Sequence, residues 1–294
     1  IYRRVDKICG MLSAIIFCQW VVATLFFNLF PIFLNTYNGL YTSKLPPNVT
    51  YEHAVYYVVP FDFTTDFKGY LAVTFFNLMI TTYCGLYICF TDLYFCVNII
   101  HVWGHMKILD YNLRNFSRAS NITVGGVSVP WYNEAENKAA QARLKECIEH
   151  HTMLVRFIEK TTKCMGPTLC FYSIFHQCGL CVFLLECSQM NIGTMGKNFM
   201  VTLMVFQQLI QISVIVELLG TQSECLIDAV YSTPWESMNV GNRRTVQIFL
   251  HKVQKPVVVN AMGMVTMGVR TMATILKTTL SYYMLLRTVA NDIF

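Results

Sequence analysis

Charge is scarce in this sequence. Of its 294 residues only 13% are charged, about half of the ~25% found in ordinary globular domains. So few ionic groups cannot cover the surface of one or two soluble domains of that length. The motifs of common enzymes are missing too. There is no P-loop, no dinucleotide fingerprint and no nucleophile elbow, and the 15 glycines are dispersed, so the reading is not an enzyme. The loop from Pro31 to Phe67 holds none of the 12 cysteines, which excludes a disulfide network there. No segments of about ten alternating residues appear, which excludes a β-barrel. The net charge of +5 is scattered at the edges of apolar runs and gives no basic patch for nucleic acid. Disorder and collagen are excluded by what is abundant. Hydrophobic residues make up 54% of the chain and mean hydropathy is +0.44.

A membrane helix needs about twenty mostly apolar residues, and in lipid the backbone must satisfy itself internally. Five stretches qualify: Ile8 to Leu34, ended by Pro31 and the polar run after it; Tyr70 to Ile100; Cys164 to Leu185; Phe199 to Gly220; and Val257 to Leu286, directly after Pro256. The first is too long for a signal-peptide core and lacks a small-residue cleavage site. The chain opens on Ile1 rather than Met, so sequence upstream of it is expected.

Basic residues set the orientation. One side of the five crossings collects 16 Lys and Arg, nine of them between the second and third spans, and the other side collects four. The N-terminus is therefore expected in the cytoplasm and the C-terminus outside. Asn48-Val-Thr50 falls in an external loop and is the expected glycosylation site. The sequons at Asn115 and Asn121 fall on the cytoplasmic side, and a glycan there would invert the topology. Helices also extend beyond the spans. The second span runs on through Trp103 to Leu109. Glu134 to Thr162 is amphipathic, with Leu144, Ile148, Met153 or Leu154, Phe157 and Ile158 at helical spacing. The fourth span runs on to Val230, Pro234 breaks it, and a short helix follows from Arg244 to Val253. Four cytoplasmic helices of this kind suit a packed bundle.

Single residues carry less. Cys178 and Cys181 form a CxxC pair inside an apolar helix, where cysteine packs as a small hydrophobe. His101 and His105 share a helical face, but Val102 stands where a zinc protease needs Glu. His150 and His151 point apart. No metal site is expected. For Asp92 and Glu217, interfacial placement and a functional role stay equally open. Arg270 and Lys277, with Thr271, Thr274, Thr278, Thr279 and Ser281, make the last span the most polar. It suits a water-filled path or contact with other subunits. The outer halves of the first two spans are rich in aromatics. Trp20, Phe26, Phe27, Phe30, Phe75, Met79 and Tyr83 would suit a pocket for a small apolar ligand, with ordinary packing as the competing reading.

The last third carries a longer pattern. Tyr231-Ser-Thr-Pro234-Trp235-Glu-Ser-Met238, then Asn242-Arg-Arg244, Gln254-Lys-Pro256, Ala261-Met-Gly263, Lys277 and Ser281-Tyr282-Tyr283-Met-Leu-Leu286 resemble, in order and spacing, the C-terminal signature of insect odorant receptors. The moth pheromone-receptor branch is the nearest in character. The resemblance implies an all-α polytopic bundle of seven spans, of which this chain would hold the third to the seventh. The third would cover 1–34 and an extracellular loop 35–68. The fourth span and its cytoplasmic extension would cover 69–109, and a cytoplasmic loop with the amphipathic helix 110–163. The fifth would cover 164–187, a second extracellular loop 188–198, and the sixth with its extension 199–233. A cytoplasmic anchor helix would occupy 234–255, the seventh span 256–289 and an extracellular tail 290–294. It also implies a tuning subunit that assembles with the odorant receptor co-receptor into a tetrameric, ligand-gated, nonselective cation channel of the sensory-neuron plasma membrane. No cofactor is implied, and the ligand would be a volatile apolar molecule. The gate would fall at Leu285, Thr288 and Val289, where Arg287 departs from the pattern by placing a cation beside a cation path. Two other readings stand beside it. A G-protein-coupled chemoreceptor would end inside the cell. A transporter would show inverted repeats with broken helices, and only one Pro-interrupted pair occurs, around Pro256.

Overall fold

The computed structural model describes residues 1–41, 49–124, 127–189, 192–262 and 265–293. Asn48 lies outside the described residues. Six helices dominate: α1 Tyr2–Tyr37, α2 Phe67–Arg114, α3 Glu134–Gln189, α4 Ile192–Tyr231, α5 Val240–Val253 and α6 Val269–Ile293. Two short antiparallel hairpins join them. β1 Asn121–Val124 pairs with β2 Val127–Pro130, and β3 Asn260–Ala261 with β4 Val265–Thr266.

The chain divides into two compact units. The first holds Ile1–Cys9, Cys96–Ser173 and Gln211–Ala273. Its core is packed as in a water-soluble bundle. Along α2, Cys96, Ile99, Val102, Met106, Leu109 and Leu113 recur every three or four residues and are buried. Along α3, Ala140, Leu144, Cys147, His151, Leu154 and Ile158 alternate steps of four and three, the a/d seam of a helix that packs along its length. This settles one choice left by periodicity, since Leu154 is buried and Met153 is exposed. Phe157, expected on the inner face, is exposed, because it falls one position off that seam.

The second unit holds Gly10–Phe95, Ile174–Ile210 and Thr274–Phe294. It has the reverse character. Only 11% of the most apolar stretch of α1, and of α2, is buried. Val22, Leu25, Leu29 and Phe33 on α1 are exposed, as are Leu71, Phe75 and Phe90 on α2. Bare apolar surface on this scale fits hydrocarbon rather than water.

Local chemistry sets the helix ends. Gly39 adopts φ +69; its N–H reaches Thr36 O at 3.0 Å and the Leu40 N–H reaches Asn35 O at 3.0 Å. That is a Schellman cap, and the left-handed residue is glycine because a Cβ there is strained. Asp66 caps α2, with its carboxylate 3.2 Å from Gly69 N. Asn133 and Glu136 form a reciprocal capping box at α3, with contacts of 2.8 and 2.9 Å.

Two expectations are corrected. Pro31 does not end the first helix, which continues to Tyr37. A proline removes one ladder bond, but the last turn is held from outside. Asn35 exchanges bonds of 2.9 Å with both the N–H and the C=O of Glu52, and its amide donates to Tyr70 Oη at 3.2 Å. The last apolar run does not start as helix at Val257. Residues 257–261 are extended, with Val257 N held by Ser223 Oγ at 3.0 Å, and 265–267 run antiparallel to them, with Met267 N held by Val259 O at 2.8 Å. Helix resumes at Val269, where Glu217 accepts the Val269 N–H at 3.2 Å. A carboxylate at a helix start is favoured by the dipole. Gly268, at φ +156, leaves room for it, since a Cβ there would lie 3.1 Å from the Glu217 oxygen.

Candidate functional site

The motif around Pro234 organises the first unit. After α4 ends at Tyr231, Pro234 opens a single 3-10 turn, Trp235–Ser237. The Tyr231 and Trp235 rings lie 6.3 Å apart, and Met238 is fully buried. Asn239 then caps α5 by accepting the Asn242 N–H at 2.9 Å. The buried Asn137 of α3 locks this turn. Its Oδ1 accepts the Asn239 N–H at 2.9 Å, its amide donates to Tyr132 O at 2.9 Å, and its own carbonyl accepts from Asn242 Nδ2 at 2.9 Å. Arg243 donates to Met238 O and Glu236 O, both at 2.8 Å, and lies over the Trp131 ring. Sequence reasoning found the motif and missed Asn137, whose partner lies about a hundred residues away. The capping box just before it was the available signal.

Rings from three helices meet in the same unit. Tyr2 packs edge-on to His105 and His105 edge-on to His150, with centroids 5.8 and 5.5 Å apart. His151 turns the other way, onto Phe249. Burial lowers the pKa of both His150 and His151 below 6.5, so both stay neutral at pH 7. Among the described residues, no group of three or more His, Cys, Asp or Glu converges. Asp92 is buried, whereas Glu217 is exposed and caps α6.

In the second unit a polar seam joins α1 and α2. Asn28 donates to Thr81 Oγ1 at 2.8 Å, Asn77 donates to Asn28 Oδ1 at 3.2 Å, and Tyr57 donates to Asn77 Oδ1 at 2.7 Å. The 49–66 segment lies on top. Leu40, Tyr51 and Tyr70 form its core, and the Tyr41 and Tyr70 hydroxyls meet at 2.7 Å. Burial and that contact push the Tyr41 phenol well above its usual range. Burial lowers the pKa of His53, which bonds Phe63 O at 3.0 Å. Asp62, fully exposed, is held down at about 2 by the hydroxyls and N–H groups of Thr65 and Thr64.

The aromatic residues singled out from sequence divide into two sets. Trp20, Phe26, Phe27 and Phe30 are half-buried. Trp20 meets Gly85 of α2, where any side chain would collide with the indole, and Phe26 stacks on Phe30 at 5.3 Å. The buried Trp20 Nε1 has no hydrogen-bond partner among the described residues. Phe75, Met79 and Tyr83 stand four apart on one face of α2, and that face is exposed, Tyr83 by 71%. The structure turns them away from the α1 set.

On α6 the hydroxyls expected to line water satisfy themselves. Thr278, Ser281 and Thr288 donate back to carbonyls four residues earlier at 2.9–3.0 Å. Gln177 of α3 donates to Thr278 at 3.0 Å, Cys181 contacts Thr279 O at 3.6 Å, and Thr279 is buried. Lys277, Arg270 and Arg287 are exposed, as are Ser281, Tyr282, Thr288 and Leu285, the last by 60%. The side chain of Val289 lies outside the described ones.

Long helices with bare apolar flanks in one unit and capped, tightly packed helices in the other define a polytopic α-helical membrane protein. Three helices are long and apolar enough to cross a bilayer among the described residues: Tyr2–Tyr37, Phe67–Arg114 and Val201–Ser237. The chain belongs to the 7tm odorant receptor family, whose sequence model matches residues 2–280. It is 27% identical over 141 residues to the putative odorant receptor 19b and to the odorant receptor 19a of Drosophila melanogaster, a stretch covering 47% of this chain and 36% of each relative. The chain thus matches about a third of the length of those relatives. It shares its fold with the insect olfactory receptor OR5 from Machilis hrabei. Against the eugenol complex of that receptor the TM-score is 0.80 at 14% identity, covering 98% of this chain and 68% of the other. Against a second structure of it the TM-score is 0.75 at 16% identity, covering 98% and 67%.

Proposed function

We propose that the chain is the odorant-tuned part of a ligand-gated nonselective cation channel, working with the odorant receptor co-receptor in the plasma membrane of sensory neurons. Its N-terminus faces the cytoplasm and its C-terminus the outside. Family membership supports receptor function, and the eugenol bound to the Machilis receptor points to a small volatile of similar size and polarity. The observation that carries the ligand site is the Trp20 indole, a buried N–H without an acceptor among the described residues, on the helix that also carries the half-buried Phe26, Phe27 and Phe30. An orphaned donor of this kind is costly until a ligand oxygen accepts from it. Phe75, Met79 and Tyr83 supply surface that meets lipid.

The ligand binds the open state more tightly and shifts the equilibrium towards it. Leu285 and Thr288 are exposed in the single chain, as expected of a helix that meets its counterparts on a shared axis, where Leu285 and Val289 form a hydrophobic gate. The side-chain chemistry that catalysis would require is not part of this role. The test is odorant-evoked current from the full-length protein expressed with and without the co-receptor, with a C-terminal tag stained on intact cells. Current that needs the co-receptor and staining without permeabilisation support the reading. Staining only after permeabilisation overturns it in favour of a G-protein-coupled topology.

A further inference from the structure

One cavity plays no part in this scheme. It measures about 1120 Å³ and lies within the first unit, between the middle of α3 and the end of α5 with the extended segment after it. Four cations border it: Arg156 and Lys163, seven apart on one face of α3, and Lys252 and Lys255 at the end of α5. All four are exposed, and none has an ion pair among the described residues. Glu159 is the lone carboxylate on the wall, and His151, on the same wall, is neutral at pH 7 because it is buried. The dipole at the end of α5 accounts for a cation there, but not for four from two separate elements.

The floor of the cavity is apolar. Ile158, Phe249 and Val257 are buried beneath it, while Ile248, Val258 and Met262 stand exposed at its rim. The volume exceeds the ~300–1,000 Å³ of usual small-ligand sites, far more than a free phosphate fills. Lys163 directly precedes the apolar run that opens at Cys164 on α3, and Lys255 precedes Pro256 and the extended segment after it. The cavity therefore lies beside the start of the apolar run of α3, on the side where the basic residues collect.

We infer that this cavity binds an anionic phospholipid of the cytoplasmic leaflet, its phosphate held by Arg156, Lys163, Lys252 and Lys255 and its acyl chain lying against Ile158, Phe249 and Val258. The leaflet assignment rests on the orientation proposed above; the chemistry of the site does not. Anionic lipids concentrate in that leaflet and attract basic clusters next to membrane helices. Occupation would brace α5 against α3, the pair of elements that the Asn137 lock also joins.

The test uses the full-length protein in neutral detergent micelles, where orientation plays no part. Binding of short-chain phosphatidylserine is measured by titration calorimetry beside short-chain phosphatidylcholine and glycerophosphoserine, the headgroup without chains. Phosphatidylserine is expected to bind at least ten times more tightly than either comparator, on the scale of two lost cationic contacts. Lys252→Gln with Lys255→Gln should weaken it about thirty-fold, from about fivefold per cation. Val155→Trp, which fills the apolar part and keeps every charge, should also abolish binding. Lys138→Gln with Lys145→Gln, an equal charge change at exposed positions away from the cavity, should leave it unchanged. An equal loss in that control pair overturns the proposal, because attraction would then be diffuse. Headgroup binding as tight as the lipid's overturns it in favour of a free phosphate compound. Loss of an oligomer with phosphatidylserine binding intact overturns it in favour of a face between two copies. Binding as described together with a C-terminal tag found inside the cell would keep the site and refute only its leaflet.

Discussion

Asn137→Ala isolates the lock that ties the start of α3 to the start of α5. The side chain is buried and makes three close bonds, to the Asn239 N–H, the Tyr132 carbonyl and the Asn133 carbonyl, at 2.9, 2.9 and 3.1 Å. Truncation removes all three and leaves the Asn239 N–H without its acceptor. The bond from Asn242 to the residue-137 carbonyl survives, because that acceptor is backbone. Each lost bond costs about 1 kcal/mol net and an orphaned group more, so the loss should reach about 3 kcal/mol. For a chain of this size that lowers Tm by roughly 6–12 °C. Thermal unfolding of the detergent-purified full-length protein, followed by size-exclusion fluorescence, reads the shift. The control is Asn133→Ala. It breaks only the exposed capping box and should cost about 1 kcal/mol, or roughly 2–4 °C. A shift for Asn137→Ala no larger than the control's would refute the lock as a stabilising element.

Further outcomes follow from other parts of the chain. Gly104→Ala should cost about 1–3 kcal/mol, since its Cβ would lie 2.6 Å from a Val5 methyl; adding Val5→Ala should recover part of that Tm. The pKa of His53 is lowered by burial, so its contribution to stability is complete above its ordinary 6.5 and is lost as pH falls through the lowered value. Protease cleavage within residues 49–66 should therefore rise between about pH 7 and about pH 5, and His53→Gln should flatten that rise. His150 and His151 shift in the same direction, so the variant should remove only part of the whole protein's acid sensitivity. Leu285→Ser should give a standing leak current without odorant, because a polar ring rewets a hydrophobic gate; an unchanged resting current would exclude Leu285 from the gate.

The sequence made the helices legible where one physical rule governed them. Apolar length announced α1, α2 and the apolar half of α4 because lipid forces the backbone to close its own hydrogen bonds. The seam of α3 was legible from Leu144 onward because helical spacing is local. What failed was what depends on distant partners. Pro31 reads as a terminator until Asn35 is seen tied to Glu52 and Tyr70. The run from Val257 is apolar enough for a span, yet Ser223 holds its start and the β3–β4 pairing keeps 260–261 and 265–266 extended. The exposed face carrying Phe75, Met79 and Tyr83 was invisible to a count of aromatics, because composition marks which residues are apolar and not which way they turn. The four cations of the lipid cavity entered only as members of a charge tally; folding gathers them from α3 and α5 into one place.

On the proposed function, a volatile ligand opens a nonselective cation path through this protein. Whole-cell current evoked by an odorant panel from the full-length protein expressed with the odorant receptor co-receptor, recorded while external sodium is replaced first by potassium and then by a large organic cation, tests this. A ligand-gated nonselective channel gives a rapid current whose reversal potential ignores the sodium-to-potassium exchange, whose inward part vanishes with the large cation and which persists when G-protein signalling is blocked. A current that depends on G-protein signalling, or one that follows a single ion, would contradict it.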